Sequence, residues 1–120
     1  MKSLKLLLVE DDDILQQIQS GYFQTYGHEV TIAADGKEAL AVLKRQGFDV
    51  ILMDLNMPIM DGFECSREIR KKFIQTPIVA LSGNDSAETK DACFDAGMNG
   101  FLKKPTDRET FEFMMQHLLG

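Results

Sequence analysis

The stretch Val50-Ile51-Leu52-Met53-Asp54 decides the fold of this 120-residue chain. Four consecutive apolar residues end in a single carboxylate, with no polar residue alternating between them. A block this short and this uniformly apolar reads as a strand covered on both faces of a sheet. Comparable runs are Leu4 to Val9, Val30 to Ala33 and Ile78 to Leu81, with a weaker one around Phe101 and Leu102. Five strands are therefore expected.

Between and after these runs, apolar residues recur at helical spacing. The sets are Ile14, Ile18 and Tyr22; Ala39, Leu40 and Leu43; Phe63, Ile69 and Phe73; Ala92, Cys93 and Ala96; and Phe111, Met114, Met115 and Leu118. Each set predicts one core-facing stripe on a helix. Capping residues with Glu three positions later, at Asp35/Glu38, Asp61/Glu64, Asp85/Glu88 and Thr106/Glu109, mark helix starts. Gly27, Gly47 and Gly97 are expected to stop three helices. Five strand–helix alternations with short connections predict an α/β fold, a doubly wound three-layer sandwich with a five-stranded parallel sheet and five helices. An eight-unit barrel would need about 200 residues or more.

At 44% apolar and 27% charged, the chain is expected to form one domain over residues 1–120 with a core large enough to dispense with disulfides. A formal charge of −6 argues against direct nucleic-acid binding. Cys65 and Cys93 stand in no metal-ligand spacing and fit a reducing compartment as packed thiols. The apolar run after Lys5 is too short for a membrane span, so a cytoplasmic location and no membrane association are expected.

Ligands of open parallel sheets collect outside the carboxyl ends of the strands. There the sequence delivers Glu10, Asp11, Asp12 and Asp13 after the first strand, Asp54 after the third, Ser82 after the fourth, and Lys103, Lys104 and Pro105 after the fifth. Two carboxylates about 5 Å apart repel by roughly 3 kcal/mol at an effective dielectric of 20, so cationic groups are required among them. Lys104 supplies one charge, and an all-oxygen ligand set suits Mg²⁺ or Mn²⁺ better than Zn²⁺. Asp12 and Asp13 are better explained as capping the first helix. Asp11 and Glu10 are the better ligands. A carboxylate beside a divalent cation, a lysine and a hydroxyl is a plausible nucleophile toward phosphorus, giving an acyl phosphate.

The segments Leu-Val-Glu10-Asp11-Asp12, Leu-Met-Asp54-Leu-Asn-Met-Pro58-Ile-Met-Asp-Gly62, Ala-Leu-Ser82-Gly and Phe-Leu-Lys-Lys104-Pro105 together resemble the receiver domain of two-component response regulators, from about Leu4 to Leu119. The resemblance implies a flavodoxin-like fold with strand order 2-1-3-4-5. It implies Asp54 as phospho-acceptor from a histidine kinase or histidine phosphotransfer protein, with Asp11 and Asp54 ligating Mg²⁺ by carboxylate, Asn56 by its backbone carbonyl and Glu10 through water. Lys104 would pair with the phosphoryl group, Ser82 would be the switch hydroxyl, and the Lys104–Pro105 bond is cis in many relatives. Phe101 occupies the position of the family's rotating aromatic, without the hydroxyl of the usual tyrosine. Asn56 and Asn84, two residues beyond acceptor and switch, would tune hydrolysis toward a phosphate lost unaided. The downstream partner would be a protein, read through the fourth helix, fifth strand and fifth helix. The segments from Thr76 and from Cys93 look more like receivers joined to hybrid histidine kinases than like those of DNA-binding regulators.

Two other readings stand beside this phospho-accepting switch. One is a Mg²⁺-dependent phosphatase of the haloacid dehalogenase type, against which Asn56 stands where a second aspartate is usual. The other is a docking module that works without phosphate, against which the intact set of Asp54, Lys104, Ser82 and acidic pair stands. His28 and His117 are isolated, and no glycine-rich nucleotide loop is present.

Overall fold

The computed structural model describes residues 2–55, 57 and 60–120. Strands β1 (Lys5–Val9), β2 (Glu29–Ala33), β3 (Val50–Asp54), β4 (Ile78–Ser82) and β5 (Gly100–Lys103) alternate with helices α1 (Asp13–Thr25), α2 (Gly36–Arg45), α3 (Gly62–Lys71), α4 (Ala87–Asp95) and α5 (Arg108–Leu119). The sheet is parallel in the order β2-β1-β3-β4-β5, as expected. The alternation of side chains along each strand feeds two cores. Leu7, Val9, Ile51, Met53, Ile78 and Ala80 pack against α2, α3 and α4. Leu6, Leu8, Val50, Leu52, Val79 and Leu81 meet Phe23 of α1 and Phe111 and Met115 of α5.

Several local expectations are corrected. The buried stripe of α1 is Gln16, Ser20 and Phe23, whereas Ile14, Ile18 and Tyr22 are 70%, 48% and 51% exposed. Both stripes have helical spacing. The fold selects the one carrying Phe23, whose ring lies 4.9 Å from that of Phe111. Phe73, expected on the inner face of α3, is exposed beyond its end at φ +60°, its N–H donating to the Arg70 carbonyl. Ala92 is likewise exposed. Helix α4 is capped by Ser86, which accepts from Thr89 N–H, and α5 by Asp107, which accepts from Thr110 N–H. Asp85 instead lies 3.6 Å from Lys103. Among adjacent capping-type residues, the one aligned with an orphan first-turn N–H takes the role. Asp12, Asp35 and Asp61 cap α1, α2 and α3 as expected. Gly27 and Gly97 adopt φ +99° and +94° just past their helices, but α2 ends on an extended Gln46 and does not need Gly47.

Met114 and Met115 pack against the sheet, and the exposed apolar residues of α5 are Phe113 and Leu119. Arg70 closes the base of the molecule, donating to the carbonyls of Ile74, Thr76 and Gly97 and to Asn99 Oδ1. His28 is also structural: its Nδ1 accepts from Leu4 N–H at 3.0 Å beneath the Phe111 ring. Cys65 and Cys93 are buried and unpaired. Burial pushes the Cys65 thiol up to about 12 and the Cys93 thiol upward, so both are inert at neutral pH.

Candidate functional site

Strand register assembles the site. Val9 aligns with Met53, so Glu10 and Asp54 leave neighbouring strands at the same level. Asp54 aligns with Leu81, and Ser82 with Lys103, which places Ser82 one step and Lys104 two steps further along the same edge. Lys104 N–H donates to the Ser82 carbonyl at 2.8 Å, and the Lys104–Pro105 peptide is cis. The Lys104 Nζ stands 3.2 Å from Glu10 Oε1 and 3.2 Å from Asp54 Oδ1.

Glu10, Asp11 and Asp54 each offer a carboxylate oxygen within 4.8 Å of the others. Glu10 is 1% exposed and Asp54 6%. Burial, then the Asp54 charge, lifts the Glu10 carboxyl to about 7, against the opposing pull of Lys104. One ammonium therefore does not neutralise the cluster. The donor set is hard oxygen throughout, which fits a small divalent cation and offers nothing to a thiophilic one. Asn56, expected to add a carbonyl ligand and to tune hydrolysis, lies outside the described residues.

The structure brings Glu10, Asp11, Asp54 and Lys104 into one cluster and puts Ser82, 4% exposed, at the adjoining strand end. Ser82 Oγ accepts from Asn84 N–H at 3.0 Å, and the Asn84 side chain accepts from Ser86 N–H, so the β4–α4 loop is held locally. Phe101 is half-buried against the core, with Lys90 Nζ 5.5 Å from its ring centroid. Asp12 caps α1, its backbone N–H donating to Glu10 Oε2 at 3.4 Å, and Asp13 lies in the first turn; neither carboxylate belongs to the cluster of Glu10, Asp11 and Asp54.

Three features escaped the sequence reading. Gly62 packs directly beneath the Asp54 backbone, its N–H bonded to the Leu55 carbonyl; its place after the N-cap Asp61 was the available signal. Gln16 donates to the Glu10 carbonyl. A groove of about 240 Å³ runs beside Lys104, between the outer stripe of α1 and Pro105–Thr106. Of its lining, Ile18 and Tyr22 stood in the sequence as a helical stripe, but read as core, and Leu15 was not singled out.

Five strands in this order, with three clustered carboxylates and a lysine at their carboxyl edge, describe a doubly wound domain whose strand ends carry an acidic cluster of the kind that fits a divalent cation. The response regulator receiver domain family matches residues 6–116, and the chain belongs to it. It is 40% identical to the chemotaxis response regulator CheY4 of Vibrio cholerae over 98% of this chain and 100% of that one, with a TM-score of 0.86. It is 36% identical to the receiver domain of sensor histidine kinase PA1611 of Pseudomonas aeruginosa, with 97% of each chain covered and a TM-score of 0.85; that structure has magnesium coordinated in its active-site cleft. Hybrid signal transduction histidine kinase K of Dictyostelium discoideum is 35% identical across 95% of this chain and 10% of its own length. The chain spans about a tenth of the length of the first curated relatives it matches. No helix among the described residues is long and apolar enough to cross a membrane.

Proposed function

We propose that this chain is a phosphoryl-accepting switch in which Asp54 is the acceptor. The observation that carries this reading is Asp54 at the end of β3, held 3.2 Å from the Lys104 ammonium and sharing a 4.8 Å cluster with Glu10 and Asp11. An Asp54 oxygen attacks phosphorus in line, the bond from phosphorus to the donor imidazole nitrogen breaks, and that nitrogen keeps the electron pair and takes a proton. Lys104, attracted by the phosphoryl oxygens, leaves Glu10 to meet them, and Ser82 turns its hydroxyl from the Asn84 N–H toward them. Asp11 and Asp54, Glu10 through water, and the Asn56 carbonyl would hold Mg²⁺. When bound, that ion neutralises charge on the transferring group.

The donor is a histidine kinase or histidine phosphotransfer protein. The groove beside Lys104 supports this, because Leu15, Ile18, Tyr22 and Pro105 offer an apolar seat for a partner helix at the edge of the reactive cluster. The output is a protein read through α4, β5 and α5, where Phe101 lies under Lys90 and Phe113 is 73% exposed. Such a domain works in the cytoplasm and loses its phosphate by slow self-catalysed hydrolysis, which the residues two beyond acceptor and switch, Asn56 and Asn84, would tune.

Incubation with acetyl phosphate and Mg²⁺, followed by intact-mass analysis, tests the assignment. One phosphoryl adduct is expected, not formed when EDTA is added beforehand and absent in Asp54→Asn. An unmodified wild-type chain, or an adduct that survives in Asp54→Asn, overturns it.

A further inference from the structure

Gln16 lies on the inner face of α1 at 9% exposure, in a stripe otherwise completed by Ser20 and Phe23. Both of its nitrogens hold the acidic turn. Its backbone N–H donates to the Asp12 carbonyl at 2.8 Å, the first hydrogen bond of the helix, and its side-chain Nε2 donates to the Glu10 carbonyl at 2.6 Å. Asp11 stands between those two carbonyls. On the other side, Glu10 N–H donates to the Ala33 carbonyl of β2 at 3.0 Å. The Glu10–Asp12 turn is thus gripped from β2 and from α1, and on the α1 side the hold on the Glu10 carbonyl is made by one side-chain amide.

From this we infer that Gln16 is a positioning residue for the cation site. It touches no ligand itself and acts through the Glu10 carbonyl, fixing the peptide from which the Glu10 and Asp11 carboxylates project. The inference rests on the cation-binding reading given above. Three carboxylates converging on one point repel each other, and a turn free to rotate relaxes by separating them. A turn pinned at both carbonyls keeps them converged, so that less reorganisation accompanies binding. Ser20, on the same buried stripe, donates its hydroxyl within its own helix, to the Gln17 carbonyl, and serves as a structural comparison.

The test measures Mn²⁺ dissociation constants by electron paramagnetic resonance, with Mg²⁺ in competition, on wild type, Gln16→Met, Gln16→Arg and Ser20→Ala. Thermal melts in EDTA accompany each. Gln16→Met keeps length and loses the donor, and should bind roughly ten-fold more weakly while folded, in line with the usual cost of removing an outer-shell partner. Gln16→Arg retains an N–H donor and should recover most of the affinity. Ser20→Ala should lower the melting temperature without changing the constant. Wild-type affinity in Gln16→Met, failure of that variant to fold, or an equal loss in Ser20→Ala overturns the inference. Absence of Mn²⁺ binding by wild type instead removes the cation reading beneath it.

Discussion

Gly62→Ala sets two effects of opposite sign against each other. Gly62 is the first residue of α3 and does not have a positive φ, so helix propensity alone predicts that alanine stabilises, by at most about 1 kcal/mol. Sterics predict the reverse. A Cβ there would be driven into the Asp54 carbonyl and would sit 2.9 Å from Leu55 Cα and 3.0 Å from Met53 Cγ. Two of these contacts are backbone atoms at the end of the central strand, which cannot rotate away as a side chain can. Overpacking of this kind costs about 1–3 kcal/mol, so the net expectation is a loss of about 1–2 kcal/mol. The displaced group is the backbone of the proposed acceptor, so phosphorylation by acetyl phosphate should slow in the same variant. Urea unfolding in EDTA measures the first effect, and the initial rate of adduct formation the second. Gly21→Ala is the comparison: Gly21 is interior to α1 with nothing within 4 Å of a built Cβ, and it should gain up to about 1 kcal/mol. A Gly62→Ala protein as stable as wild type, reacting at the wild-type rate, would refute the reasoning.

Lys104→Ala should remain folded but uncouple modification from output: beryllofluoride, an acyl-phosphate mimic, should no longer alter affinity for an identified partner. An undiminished response measured by pull-down removes the role assigned to the lysine. Burial holds the His28 imidazole below its ordinary value of 6.5, so the unfolded chain takes up the proton first. Stability should therefore be complete above pH 6.5 and decline as pH falls below it through the lower folded value. Urea midpoints between pH 5 and 7.5 should show this decline in wild type and less of it in His28→Gln, which keeps an acceptor for Leu4 N–H; parallel profiles would count against the assignment.

The alternation of apolar runs and amphipathic stretches is a local property, and it determined the five strands, the five helices and the polar residues that close four of the strands. Because a parallel sheet puts all its carboxyl ends on one edge, those closing residues had to meet, and Glu10, Asp54 and Lys104 do so at 3.2 Å. Periodicity cannot say which of two equally spaced stripes faces inward. In α1 that choice depends on Phe111, far along the chain, and on the Glu10 carbonyl reached by Gln16. It turned Ile14, Ile18 and Tyr22 out to solvent, making a groove from what the sequence presented as core. The same holds for His28, whose burial comes from α5, and for Gly62, whose missing side chain matters only because the Asp54 backbone lies against it. Spacing along a chain determines which residues share a face, but only contacts between distant segments decide what that face meets.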